Sequence, residues 1–366
     1  MATKSIHSRA PTRIDLAGGT VDLWPLYLFL DNPITINLGI NLFAEADIII
    51  SDVKPSRFTL RSEDQNKELS LDWPELLKDP TSQKVPPALQ LHWKLLYHFA
   101  HEKLKLDHEA VDFSLTLTSR AKSPAGAGLG GSSALAIAMV GALATWARGE
   151  LIDVERDGES FIEIVRDVET TVIQVPAGIQ DYYGAMFGGL QSLRWGYGSH
   201  RREWLPEKTL HEIESRLILF YSGHSRNSGI NNWTLFKGFI DKQEEVRTKF
   251  DLISKATQNL DYALHAKDWL AAGSAIDQEW ETRRTLASGI STSEIDAAFA
   301  EARKIAPDSS GKICGAGGGG CFFVYLPSGE ASLKEKIITA LSVLPGIQHL
   351  PFQAVPRGVH VQLNGS

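Results

Sequence analysis

The chain has 366 residues, 43% hydrophobic and 22% charged, with a formal net charge of −7. This composition excludes disordered and fibrous classes, and the acidic balance excludes a broad nucleic-acid footprint, which needs a basic face. The longest apolar stretch, Ala134 to Ala147, includes Thr145 and is too short for a membrane span, and Met1 to Arg9 lacks a hydrophobic signal core, so a cytoplasmic protein is expected. Cys314 and Cys321 flank a glycine run without zinc-like spacing and read as reduced thiols.

Strands and helices alternate along the chain, which points to α/β or α+β layering. Ile14 to Ala17, Ile34 to Ile40 and Ala44 to Ile50 read as strands from their β-branched content, with Gly18-Gly19 making a turn. Phe58 to Leu60 and Leu69 to Leu71 form a short hairpin pair. Pro87 to Leu104 places Leu89, Leu91, Trp93, Leu95, Leu96 and Phe99 in a helical pattern and reads as an amphipathic helix. His98 and His101 share that helix; with no third ligand in view they read as solvated or capping histidines, with a metal pair as the alternative. Val111 to Thr118 alternates as a half-buried strand, and an Ala-rich helix, Ser133 to Arg148, ends at Gly149. The acidic passage Asp153 to Glu159 leads into a helix carrying Ile162, Ile164, Val165 and Val168. In the second half, the strand Leu217 to Tyr221 precedes helical patterns from Ile230 to His265 and from Trp269 to Leu286. A glycine loop within Lys312 to Tyr325 then runs into a strand. With no linker or repeat, the division falls between Leu190 and Glu214, giving domains 1–205 and 206–366.

The segment Ser123-Pro124-Ala125-Gly126-Ala127-Gly128-Leu129-Gly130-Gly131-Ser132-Ser133 lies between a strand and a helix. Gly126, Gly128, Gly130 and Gly131 let the backbone wrap closely around a polyphosphate with its N–H groups turned inward. Ser132 and Ser133 open a helix whose unpaired N–H groups and dipole favour an anion, and their hydroxyls can reach a phosphate or its metal. No Lys-Ser or Lys-Thr pair closes the loop, so it is not a P-loop. Gly126, Gly128 and Gly131 spell G-x-G-x-x-G, but Pro124 and the extra small residues change the turn, and no ribose-binding acid caps a following strand. A plain glycine-rich turn is the remaining alternative.

Three further segments carry chemistry. Between Ala10 and Asp22, Arg13 stands on an apolar strand that ends in Gly18-Gly19-Thr20, with Asp22 beyond; the pair suits a hydroxylated, anionic ligand or else a structural ion pair. Asp181 follows the Pro176-Ala177-Gly178-Ile179-Gln180 turn, where it can accept a proton from a substrate hydroxyl, and Glu169 precedes that turn on a helix. The run Gly315 to Gly320, including Gly317 and Gly318, implies a close backbone approach.

Together these segments resemble the GHMP kinase superfamily over nearly the whole chain. Its first motif is matched by Ala10 through Asp22, its second by Pro124 through Ala134 and its third by Gly315 through Gly320. Gly178-Ile179-Gln180-Asp181 and Tyr221-Ser222-Gly223-His224-Ser225-Arg226 look like segments of the heptose 7-phosphate kinase and fucokinase branch. The resemblance implies an α+β fold with a ribosomal protein S5-like N-terminal domain, a ferredoxin-like C-terminal domain and ligands in the cleft between them. It implies ATP on Pro124, Gly126, Ala127, Gly128, Leu129, Gly130, Gly131, Ser132 and Ser133, with Mg²⁺ on Ser132 or Ser133 and Glu169. It further implies catalysis by Asp181 and Arg13, and substrate on Gly18, Gly19, Thr20, Asp22, Gly178, Gln180, Arg226, Gly317 and Gly318. Gly131 stands where many relatives carry a serine, and Gly18-Gly19-Thr20-Val21-Asp22 where heptose kinases usually read Gly-Gly-Gly-Thr-Asp. A substrate phosphate needs basic partners, for which Arg9, Lys122 and Arg226 are candidates.

The leading expectation is therefore an ATP-dependent kinase acting on a hydroxyl of a sugar or sugar phosphate, best a heptose 7-phosphate-type anomeric kinase. A galactokinase- or mevalonate kinase-like enzyme, a non-catalytic sensor and, last, a dehydrogenase are the alternatives. The expected partner is a small molecule, with neither nucleic acid nor membrane, bound by a monomer or homodimer.

Overall fold

In the computed structural model, which describes residues 4–76, 85–104, 111–197, 200–224 and 229–364, the first strands are longer than their β-branched runs. β1 (Lys4–Ala17) pairs antiparallel with β2 (Ile34–Ser51) along nearly its full length. β2 fuses the expected strands Ile34 to Ile40 and Ala44 to Ile50, because Asn41 meets Gln353 through its backbone and side chain rather than turning the chain. Register shifts in β1 at Ala10/Thr12 and Asp15/Ala17 bend the strand at the residues that later form the site.

β3 (Arg57–Ser62) and β4 (Lys67–Asp72) make the expected hairpin, followed by a single helical turn α1 (Trp73–Leu76). A 3₁₀ turn at Pro87–Leu89 opens α2 (Gln90–Leu104). On it His98 lies edge-on to Phe99, and His101 packs on Tyr97. β5 (Ser114–Ala121) starts later than the alternation suggested: Val111 and Phe113 pack on the core ahead of it without joining the ladder. α3 (Gly131–Arg148), α4 (Val154–Ile173) and α5 (Gln180–Phe187) follow, then β6 (Leu190–Arg194) and β7 (Arg201–Trp204). Residues 133–146 of α3 are buried except at Leu135, as its alanines allow close packing on β1 and β2.

The second half runs α6 (Glu207–Arg216), β8 (Leu217–Tyr221), α7 (Gly229–Ile240), α8 (Glu244–Ala266) and α9 (Trp269–Arg283). The pattern expected from Ile230 to His265 is thus two helices, broken where Lys242 takes φ +60°. α10 (Ser293–Ile305), β9 (Ser310–Ile313), β10 (Cys321–Tyr325), α11 (Ala331–Ser342), β11 (Gln348–His349) and β12 (His360–Asn364) complete the chain.

Two sheets result. The larger has the order β12-β1-β2-β5-β3-β4 with β6 and β7 joined at β2; the smaller is β11-β8-β10-β9. β12, numbered with the second domain in the sequence reading, returns to the first sheet and pairs Ser5 to Arg9 of β1. One hydrophobic cluster joins the ends of β1 and β2 to α8, α9 and β10, so the two sheets share a packed boundary. Among the described residues no helix is long and apolar enough to cross a membrane.

Candidate functional site

A cavity of about 660 Å³ opens where the bent end of β1 meets the starts of α3 and α5. It brings together Arg13, the turn Gly19-Thr20 with Asp22, the loop 123–133, Glu169, and Gly178, Gln180 and Asp181. Residues far apart in sequence thus line one space.

The loop has the conformation its glycines permit. Gly126, Gly128 and Gly130 have φ of 68°, 73° and 71°, and Gly130 caps α3 in the left-handed region. The helix accordingly starts at Gly131, so Ser132 and Ser133 occupy its first turn, where N–H groups have no intrahelical acceptor. The run Gly315 to Gly320 supports this loop from behind. A Cβ on Gly315 would lie 2.8 Å from Gly128 Cα, and Cys321 N donates to Ala127 O at 2.7 Å. Gly315 and Ala316 line the cavity. Gly317 and Gly318, expected on the substrate, instead lie against Ile290, where Gly318 N donates to Ile290 O at 2.7 Å, and neither lines the cavity. Gly128→Ala places a side chain at positive φ against Gly315; a lowered melting temperature is expected, measurable by calorimetry.

Arg13 is 4% exposed and ties three segments together. Its Nε donates to Asp181 Oδ1 at 2.8 Å, its Nη2 lies 2.7 Å from the same oxygen, and its Nη1 donates to Gly128 O and Cys314 O at 2.7 and 2.8 Å. Asp181, in the first turn of α5, keeps a partly exposed carboxylate on the cavity. The two cysteines are buried and free; burial pushes the Cys314 thiol up to about 12.

Glu169 does not face solvent. Its Oε1 accepts from Ser132 Oγ and its Oε2 from the Tyr182 hydroxyl, both at 2.7 Å. Burial raises its pKa, against the lowering effect of those two donors. Ser133 faces the Tyr182 phenol. Asp22 is 2% exposed, accepts from Gln180 N at 2.9 Å, and is pushed by burial up to about 6. Gly18 sits behind the turn rather than on the cavity, its carbonyl accepting from Thr35 Oγ1 at 2.8 Å. Of the basic candidates, Lys122 pairs with Glu45 and Arg9 covers the Phe43 ring, and neither lines the cavity. Arg226 lies outside the described residues.

Sequence reasoning missed Asp15, Glu279, Arg283 and Lys312. All four are essentially buried and ion-paired: Lys312 Nζ to Asp15 Oδ2 at 3.2 Å and Glu279 Oε1 at 3.1 Å, and Arg283 Nη2 to Glu279 Oε1 at 2.6 Å. Burial pushes Glu279 up, but Arg283 and Lys312 outweigh it and hold the carboxyl below its usual range. One signal was available: Asp15 follows Arg13 at the strand period of two, a second charge on the same buried face.

Two domain families match the chain: "GHMP kinases N terminal domain" over residues 91–189 and "GHMP kinases C terminal" over residues 261–340. The chain is 23% identical over 350 residues to a D-glycero-alpha-D-manno-heptose 7-phosphate kinase of Campylobacter jejuni, covering 92% of this chain and 93% of that protein. It is 25% identical to an L-fucokinase/L-fucose-1-P guanylyltransferase of Bacteroides fragilis, covering 97% of this chain but 38% of that protein. Among solved structures, the Lactococcus lactis galactokinase complexed with galactose superposes with a TM-score of 0.73 at 13% identity, covering 97% and 95% of the two chains. The chain thus carries the N-terminal and the C-terminal domain of the GHMP kinases, in that order, and is a phosphotransferase with a hydroxyl acceptor.

Proposed function

We propose that the chain transfers the γ-phosphoryl group of ATP to a hydroxyl of a sugar or sugar phosphate, best a heptose 7-phosphate-type acceptor at its anomeric hydroxyl. The observation that carries this reading is the place of Asp181: one carboxylate, braced by Arg13, lines the same cavity as the glycine-rich start of α3 and the turn at Asp22. Phosphoryl transfer asks an enzyme mainly for in-line positioning and charge neutralisation. In this reading the loop 123–133 and the first turn of α3 hold the triphosphate, Asp181 accepts the proton of the attacking hydroxyl, and Arg13 orients Asp181. Asp22 and Thr20, with the Gln180 segment, hold the acceptor's other hydroxyls.

The residues present fit Mg²⁺. Glu169 is a buried carboxylate with Ser132 Oγ 2.7 Å away, a hard oxygen donor pair suited to a cation that keeps phosphate and water ligands as well. Ser132 rather than Ser133 is the serine that meets Glu169, which favours it as the ligand. Bound there, Mg²⁺ would neutralise charge on the transferring phosphates.

The test is coupled ADP release with D-glycero-D-manno-heptose 7-phosphate, L-fucose, D-galactose and mevalonate as acceptors, with and without EDTA. The expected result is Mg²⁺-dependent turnover, highest in kcat/KM with the heptose phosphate. Saturable sugar binding without ADP from any acceptor would overturn the reading in favour of a sensor.

A further inference from the structure

The turn Gly18-Gly19-Thr20 is gripped from both sheets. Thr20 is β-branched yet has φ +78°, a left-handed conformation that costs a residue of this type energy and persists only where its surroundings impose it. Arg283, at the end of α9, supplies that constraint. Its Nη1 donates to Thr20 Oγ1 at 3.0 Å and its Nη2 to Gly19 O. Arg283 is itself fixed, as Nε donates to Glu279 Oε1 at 2.8 Å, and the same oxygen accepts from Lys312 Nζ and from Gly18 N. Lys312 then reaches Asp15, whose carboxylate lies against Gly19, where a Cβ would collide with it. The chain of contacts closes on the turn.

Stability alone does not explain four charges buried beneath one turn. Well-packed apolar residues of similar volume commonly serve as well or better. What charged groups add is direction: this array places hydrogen bonds on three consecutive residues, Gly18 N, Gly19 O and Thr20 Oγ1. Both Thr20 and Arg283 line the cavity, next to Asp22.

We propose that Arg283, locked by the Lys312–Glu279 pair, is a positioning residue that holds the acceptor turn from the second domain and so sets how tightly the hydroxylated acceptor is bound. The proposal rests on the kinase reading for its kinetic consequence, but its structural consequence is independent of it. Arg283→Lys keeps the charge and loses the fork that reaches Glu279, Gly19 and Thr20 together. Thr20→Val removes the hydroxyl that Arg283 grips and leaves all the buried charges in place, so it carries the test even where Arg283→Lys does not fold.

Two measurements are made on the full chain. Amide hydrogen exchange is expected to speed up in the segment 16–23 of both variants and to stay unchanged in the segment 123–133. Steady-state kinetics with whichever panel sugar the wild type phosphorylates are expected to show acceptor kcat/KM falling by on the order of 10²-fold, chiefly through KM, with KM for ATP within about twofold. The Arg283→Lys/Thr20→Val double variant should be little worse than Arg283→Lys alone, since that variant has already lost the contact to Thr20. Unchanged exchange at 16–23, or equal rises in both KM values, overturns the proposal. Failure of the wild type to release ADP overturns the kinase reading instead, and the exchange result then decides the grip alone.

Discussion

Asp181→Asn is expected to lower kcat by on the order of 10² to 10⁴ with every acceptor while leaving the far-UV circular dichroism and ATP binding close to those of the wild type. The substitution keeps the shape of the side chain, and the amide oxygen can still accept from Arg13 Nε. On the proposed reading, what it removes is the group that takes the proton of the attacking hydroxyl. Arg13 retains its bonds to Gly128 O and Cys314 O, so the guanidinium stays in place and the loop it supports is not released. The contrast is with Arg13→Met, which strips two buried carbonyls and a carboxylate of their donor at once. Breaking a buried pair in that way costs about 3 to 5 kcal/mol, so this variant should lose stability and activity together. Thermal unfolding beside steady-state turnover separates the two. Wild-type turnover in Asp181→Asn would remove that carboxylate from the reaction.

Much of this site was legible in the sequence because its requirements are local. A backbone that turns through positive φ three times, at Gly126, Gly128 and Gly130, and then starts a helix has to be written in glycines followed by small polar residues. Arg13 on an apolar strand and Asp181 just past a Pro-x-Gly turn likewise stand out from their neighbours. The buried array did not, because its members pair across the fold: Lys312 meets Asp15 at a separation of 297 residues and Arg283 meets Gly19 at 264. No local period encodes such a contact. Gly317 and Gly318 were read as permitting a close approach, and the approach the fold shows is to the Ile290 backbone; a glycine that admits a ligand and one that admits a backbone look alike in sequence. The fold shows the same division. The Ala-rich helix and the hairpin followed from pattern, whereas the break at Lys242 carries no glycine or asparagine, and the return of β12 to β1 is set by pairing between the two ends of the chain.

Asp22→Asn is expected to make the protein more stable at pH 8 and a poorer enzyme. Burial raises the Asp22 pKa from 3.8 to about 6, so in the folded chain this group holds a proton that the unfolded chain has already released. Between about pH 4 and pH 6 the folded state therefore binds more protons than the unfolded state, and stability falls as pH rises through that window. Above it the full cost of burying the charge is present, on the order of 3 kcal/mol from the difference between the two pKa values. Asparagine carries no such charge and can still accept from Gln180 N through its amide oxygen. Thermal unfolding should show Asp22→Asn gaining over the wild type at pH 8, the advantage shrinking toward zero near pH 4. Activity should move the other way, because an ionised carboxylate is the stronger acceptor for a substrate hydroxyl. The wild-type kcat/KM for the acceptor should fall on the acid side with an apparent pKa near 6, and that limb should be missing in the variant. An Asp22→Asn protein less stable than wild type at pH 8 would show that the carboxylate is held there for the fold; the opposite result identifies a buried charge kept at a cost in stability because the acceptor needs it.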